Sequence, residues 1–304
     1  MRLGHDEIRG GGMSDTDDSS GNATIGAASG LREVTRSTGV ILAPNPGPMT
    51  LEGTNTWLLR LPGSDRCAIV DPGPLHERHL AAVARAGATV TLILLTHGHL
   101  DHSEGAPRLA ELTGAPVLAL DRSFGDHLPV GETIDAAGVR VEAIETPGHS
   151  GDSVSFYLPD DDAVLTGDTI LGRGTSVVAH PDGRLGPYLD SLRRLREFGD
   201  AAVLPGHGPE LTAAGRVAEA YLQHRSARLE EVRRAFGAGA TTPRQVVEVV
   251  YADVDRALWP AAELSVRAQL EYLRAGGHPS SELRSDPRSD PRSDPRSGTG
   301  TAQR

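Results

Sequence analysis

Lysine is absent from the 304 residues, so all 30 basic side chains are arginine. The chain therefore lacks the amine needed for Schiff-base chemistry and the lysine with which a P-loop holds phosphate. Cysteine occurs once, as Cys67 in the apolar stretch CAIV. One thiol can form neither an internal disulfide nor a cysteine-rich zinc site, and in this setting it reads as a buried, inert side chain. No apolar run approaches the ~20 residues of a membrane-spanning helix. The opening, MRLGHDEIRGGGMSDTDDSS, lacks the apolar segment of a secretory leader. A cytoplasmic location with no membrane partner is the resulting expectation.

What is present suits a soluble globular protein, with 38% hydrophobic and 23% charged residues. The formal charge of -11 is unevenly placed: residues 33–220 carry 14 Arg against 25 acids, and residues 221–275 carry 8 Arg against 7 acids. Such a surface does not on average attract polyanions. Two bound divalent cations would offset part of the excess at the site itself.

Four segments are expected. Residues 1–32 are rich in Gly, Ser and Asp and read as disordered. From residue 33 to about 220, short apolar runs such as CAIVD, VTLILLT and VLAL alternate with helical stretches such as LHERHLAAVARAG. That alternation argues for a layered architecture of strands and helices. Residues 221–277 read as three short helices, in HRSARLEEVRRAF, TTPRQVVEVVY and PAAELSVRAQLEYLRAGG. They make an accessory domain too small to be stable without docking, so Leu258, Trp259, Leu264 and Leu270 are expected to pack partly on the main domain. Residues 278–304 hold three consecutive RSDP repeats and read as a flexible tail.

The decisive segment is LILLTHGHLDH, residues 92–102. Leu92 to Leu95 form a buried strand, and the turn after it presents His97, His99, Asp101 and His102. Neutral imidazoles and carboxylates are natural ligands of zinc and similar borderline metals. The same pattern recurs along the chain. VEAIETPGHS ends in His149, DAVLTGDT in Asp168, AAVLPGHG in His207 and IVDPG in Asp71. Each is a strand leading into a glycine turn that offers one donor, at the carboxyl ends where sites in layered folds gather. Seven candidate ligands exceed the needs of one tetrahedral zinc and suit two metals that share a carboxylate.

Asp71, THGHLDH, His149, Asp168 and His207 resemble, in order and spacing, the five motifs of the metallo-β-lactamase superfamily. The match runs from about residue 40 to 210. The resemblance implies an α+β fold, an αββα four-layer sandwich, with two divalent metal ions, zinc being the expected metal. It further implies that His97, His99 and His149 hold the first metal, that Asp101, His102 and His207 hold the second, and that Asp168 bridges both. Asp71 would orient a ligand or the bridging water without binding metal. The chemistry implied is hydrolysis by a metal-bound hydroxide, with Asp101 and Asp168 as the catalytic carboxylates. No cysteine occupies the ligand position found in some β-lactamases.

NPGPMTLEGTNTWLL (residues 45–59) and GTSVVAHPDGRLGPYLDSLRRL (residues 174–195) look like the β-lactamase-like protein 2 subgroup. Residues 225–277 resemble the winged-helix-like domain that follows the catalytic domain there. That subgroup includes a single-strand endoribonuclease, and many of its bacterial members are described only as metal-dependent hydrolases.

Three functions are therefore weighed: cleavage of single-stranded RNA, hydrolysis of small esters, thioesters (in the manner of glyoxalase II) or lactams, and non-enzymatic nucleic-acid binding. The acidic core favours the second over the first, and the intact ligand set opposes the third. For RNA, Arg225, Arg228, Arg233 and Arg234 would supply the basic track. His180 in VVAHPDG reads either as an acid on a lid or as an exposed loop residue. Thr54, Asn55 and Thr56 read as polar groups near the site or as a sheet-edge brace. His76, His79, His127 and His224 read as surface or helix residues, and Trp57 and Trp259 as packing residues.

Overall fold

The computed structural model describes residues 25–26 and 30–278. The chain up to residue 24 and the RSDP repeats, both expected to be disordered, lie outside the described residues. Pairing starts before residue 33, because β1 (Ile25–Gly26) and β2 (Leu31–Glu33) already form an antiparallel pair.

β3 (Thr38–Leu42), β4 (Asn55–Leu59) and β5 (Arg66–Val70) extend this sheet antiparallel. Helix α1 (Glu77–Ala86) then carries the chain back, so β6 (Thr89–Leu94) runs parallel to β5. After α2 (Leu100–Ser103) and α3 (Ala106–Thr113), strands β7 (Val117–Ala119) and β8 (Asp126–His127) complete eight strands in chain order. The second sheet starts with β9 (Thr133–Ala136), β10 (Val139–Glu145), β11 (Val154–Leu158) and β12 (Ala163–Gly167), all antiparallel. A crossover through α4 (Leu185–Arg196) adds β13 (Ala202–Pro205) parallel to β12.

Period-two alternation with both faces covered explains why β5 and β6 read as nearly unbroken apolar runs. Ala68, Val70, Leu92 and Leu94 face the second sheet and meet Val141, Phe156 and Leu165. Cys67, Ile69 and Ile93 face outward, onto Leu80 and Val83 of α1 and Leu109 of α3. On the far side, Val164 and Val203 pack on Leu189, Leu192 and Leu195 of α4 and on Ala218 and Leu222 of α5 (Ala214–Gly237). The expected α/β/β/α layering is present. Cys67 is fully buried, and burial pushes its thiol up to about 11, which keeps it unreactive.

The accessory region departs from three short helices. Its first helix, α5, is 24 residues long and runs unbroken through the expected boundary at residues 220 and 221. One half of α5 packs on α4, while Val232 and Ala235 further along build a separate small core with α6 (Pro243–Val250) and α7 (Trp259–Arg274). Trp259 and Leu270, expected against the main domain, belong to that small core, and Ala268 is the α7 residue buried among the α4 and α5 side chains. The cause is length: a helix this long reaches past the sandwich and brings its own apolar face to be covered. Thr242 caps α6 through a reciprocal capping box with Gln245. Among the described residues no strand follows β13, and no helix is long and apolar enough to cross a membrane.

His79, read as a surface or helix residue, lies on helix α1 and is buried there. Its Nε2 donates to Pro72 O at 3.1 Å and lies 2.9 Å from Thr56 Oγ1, joining the helix to β4 and to the turn after β5. Burial pushes its pKa down to about 4. The unfolded chain takes up that proton near ~6.5, so the contribution of neutral His79 is complete above that pH and is lost as pH falls through about 4. Urea unfolding at several pH values should show the native chain losing on the order of 3 kcal/mol more than His79→Gln across this window. Parallel curves for the two would refute the assignment.

Candidate metal centre

β5 and β6 are parallel, β12 and β13 are parallel, and β10 and β12 are both antiparallel to β11. The carboxyl ends of these five strands therefore fall on one edge of each sheet. The two edges are tied together there. Asn55 N donates to Gly206 O at 2.8 Å, the Asn55 amide donates to Pro205 O and Gly208 O, and Trp57 Nε1 donates to Pro205 O. Thr54 is fully buried and bridges His207. The GTNTW stretch thus braces the turn that carries His207.

Asp71 follows β5 with φ of 51°, a left-handed conformation costly for any residue but glycine. This turn points its buried carboxylate under the next strand end. Oδ1 accepts from Thr96 N at 2.8 Å, and Oδ2 accepts from the Thr96 hydroxyl at 2.7 Å and from His102 Nδ1 at 2.8 Å. Because the Thr96 hydroxyl donates to Asp71, its oxygen accepts from His97 Nδ1 at 3.0 Å. His149 Nδ1 is 2.8 Å from Val177 O, and His207 Nδ1 is 3.1 Å from Gly53 O. Each of these carbonyls can only accept, so the proton sits on Nδ1. In the neutral form of all four imidazoles the inward Nε2 is then the lone-pair atom.

Those lone pairs converge. His97 Nε2 and His149 Nε2 each lie 3.0 Å from His99 Nδ1, forming one group. His102 Nε2 lies 3.2 Å from His207 Nε2, and Asp101 Oδ2 is 3.1 Å from His207 Nε2, forming a second. Asp168 stands between the groups, with Oδ1 3.4 Å from His102 Nε2 and 3.5 Å from His207 Nε2, and Oδ2 3.6 Å from His149 Nε2. Its Oδ1 is buried with no hydrogen-bond partner among the described residues. With the imidazoles neutral, as metal ligands are, these facing lone pairs have no proton to share. Spacings near ~3.3 Å are what ligands of a tetrahedral ion at about 2.0–2.1 Å adopt. The donor set fits divalent cations, and all seven sequence candidates are brought together around Asp168.

Without cations the two groups differ electrostatically. Burial, then the neighbouring His102 and His149, hold His97 well below its ordinary value, and burial also lowers His149. In the second group burial opposes protonation, but Asp168 and Asp71 hold His102 well above its ordinary value. Burial is likewise overcome at His207, which Asp101 and Asp168 push up to about 9. Asp168 in turn is held well below the carboxylate range, against its burial, by His102 and His207. Gly206 makes this closeness possible, since a Cβ there would stand 2.7 Å from both Asp168 Oδ1 and His102 Cε1.

Beside the centre lies a cavity of about 410 Å³ that reaches His149 and Asp168. Its far wall comes from α5, the chain after α6, and α7. His224, read as a surface or helix residue, lies on α5 and lines it together with Arg225 and Arg228. His180, on the loop before α4, turns to Glu271 of α7, 3.3 Å away. His76 caps α1, and His127 is exposed on β8. Thr96 and Ser176, whose hydroxyls touch His97 and His149, were not singled out from the sequence. The only signal for Thr96 was its place just before the His-x-His turn.

Residues 49–131 and 122–207 match the metallo-beta-lactamase superfamily, and residues 242–278 match the beta-lactamase associated winged helix domain. The chain belongs to the metallo-beta-lactamase superfamily, as a hydrolase whose His/Asp clusters can bind metals. It is 31% identical to the atrochrysone carboxyl ACP thioesterase of Aspergillus fumigatus, over 69% of this chain and 72% of that protein. It is 29% identical to a beta-lactamase-like protein 2 homolog of Caenorhabditis elegans, over 78% of this chain and 84% of that one. Its fold matches a beta-lactamase domain protein from Burkholderia ambifaria, with a TM-score of 0.70 and 22% identity, covering 82% of this chain and 89% of the other.

Asp71→Ala removes the acceptor that sets His102 directly and His97 through Thr96. Metal affinity, measured by competition with a chromogenic chelator, should fall about 10–100-fold. An unchanged affinity would show that the two imidazoles are oriented by other contacts.

Proposed function

We propose that the chain is a zinc-dependent hydrolase of small acyl esters and thioesters. Its binuclear centre is held by His97, His99 and His149 on one side, by Asp101, His102 and His207 on the other, and by Asp168 between them. The observation that carries the substrate class is the cavity. About 410 Å³ in volume, it is walled by Met49, Leu51, Leu171, Val177, Val254 and Leu258 and ends at His149 and Asp168. Such a wall removes an acyl chain from water, as small-molecule sites do. A nucleic-acid strand needs an open basic track instead. The arginines expected to form one are largely engaged: Arg225 donates to Ser176 O, Arg228 pairs with Glu231 at 2.9 Å, and Arg233 pairs with Glu230 at 2.6 Å. The relative named as an ACP thioesterase supports the same choice. Five imidazoles and two carboxylates, with no thiolate, suit zinc.

When bound, the cations supply Lewis acidity and bring the pKa of a water to near ~7. Asp101, at 29% the more exposed of the two carboxylates against 11% for Asp168, would hold an attacking water by a hydrogen bond and take up its proton. Held well below its ordinary range, Asp168 stays ionised and offsets the cationic charge. The water oxygen bonds to the acyl carbon, the C–S or C–O bond breaks, and the thiol or alcohol leaves with a proton.

The purified chain should hold close to ~2 equivalents of zinc, lose turnover of acyl thioesters in chelator and regain it with zinc. Hydrolysis by a metal-free preparation, or cleavage of labelled RNA but of no ester or thioester, would overturn the reading. Asp168→Asn keeps the shape but not the charge, so zinc content should fall to about one equivalent or less and kcat by about 100-fold or more.

A further inference from the structure

Among the charged side chains that line the cavity, positive ones outnumber negative ones. Arg173, His224, Arg225 and Arg228 line it, and among the described lining residues Asp168 is the one carboxylate. In a chain of formal charge -11 this is a local inversion. Two of the cations are already paired, Arg173 with Glu52 at the rim and Arg228 with Glu231. Arg225 differs. It is 6% exposed, its guanidinium stacks 5.0 Å from the Tyr188 ring centre, and it donates to Ser176 O. Its buried Nε finds no hydrogen-bond partner, and no carboxylate of the described residues forms an ion pair with it. A desolvated guanidinium without an acid is a costly arrangement that a matching anion relieves. The positive character of the wall is also felt at His224, which burial and then Arg225 and Arg228 push below its ordinary value.

We infer that the cavity takes an acyl group bearing its own carboxylate, which Arg225 recognises. This deepens, and rests on, the ester and thioester reading. Position argues for the acyl part over the leaving group. Arg225 binds the carbonyl of Ser176, whose hydroxyl lies 3.0 Å from His149 Nδ1, so the guanidinium stands one residue away from the centre. An anion held there sits close to the scissile bond, whereas a charge on a long carrier arm would sit outside.

The test compares matched pairs on the zinc-loaded full chain: the monothioesters of glutaric and adipic acid with N-acetylcysteamine, against those of pentanoic and hexanoic acid. The thiol is uncharged throughout. The charged members should show kcat/KM higher by about ten-fold or more, mainly through KM. Arg225→Met should close most of that gap, and Arg225→Lys should keep most of it. Calorimetric titration with glutarate and pentanoate reads the same site without turnover, and zinc content is measured on each variant. Tighter binding of glutarate that Arg225→Met abolishes at full zinc content is the expected result. No preference for glutarate in the native chain overturns the inference, whatever turnover shows. A gap that closes only together with loss of zinc assigns Arg225 to bracing Ser176 and His149, and likewise overturns it. Glutarate preference with no thioester hydrolysed refutes the proposed function and leaves the anion site standing.

Discussion

Two hydrogen bonds accepted by one carboxylate oxygen organise the active edge. Asp71 Oδ2 accepts from His102 Nδ1 and from the Thr96 hydroxyl, and Thr96 then accepts from His97. A single buried acid thereby fixes the tautomer of one imidazole in each group of ligands. The left-handed backbone at Asp71 is the local cost of placing that acid beneath the neighbouring strand end. Asp71 N also donates to Leu94 O, which holds β5 and β6 in register up to the turn. The strain is met by the most rigid part of the fold, two parallel strands buried on both faces.

From that edge the remaining geometry follows by topology. The two sheets are stitched by Asn55 and Trp57, which reach across to the chain around Pro205. The His207 turn consequently belongs to the first sheet by hydrogen bonding and to the second by sequence. Glycine at position 206 lets the side chains of Asp168 and His102 approach as closely as a shared cation requires. Packing supplies the rigidity, and the polar stitches supply the aim.

Much of this was legible in the residues. Strand, glycine, ligand is a local grammar, and each instance of it survived folding because buried strands fix where their ends emerge. The resemblance then gave order and grouping to donors that composition alone left unsorted. What could not be read was anything set by contacts distant in sequence. His79 looked like a helix-surface residue until Thr56 and Pro72 closed over it. His224 and Arg225 looked like part of a solvated helix until the loop through Ser176 and the helix at Ala262 covered that face. The length of α5 was missed because its apolar positions serve two different cores, and no single periodic stripe spans both. Thr96 went unassigned because a hydroxyl beside a ligand motif acquires its role only from Asp71, 25 positions away.

Helix α5 has a consequence for how such an enzyme diversifies. One rigid rod is anchored on α4 at one end, lines the cavity in its middle and carries a small independent core at the other. None of the seven donors lies on it. Replacements along α5, α7 and the segment between α6 and α7 can therefore redraw the cavity while the seven donor side chains stay on the sandwich. Chemistry and selectivity are inherited on separate stretches of the same chain. A lineage of this design can change what it eats without relearning how to cut.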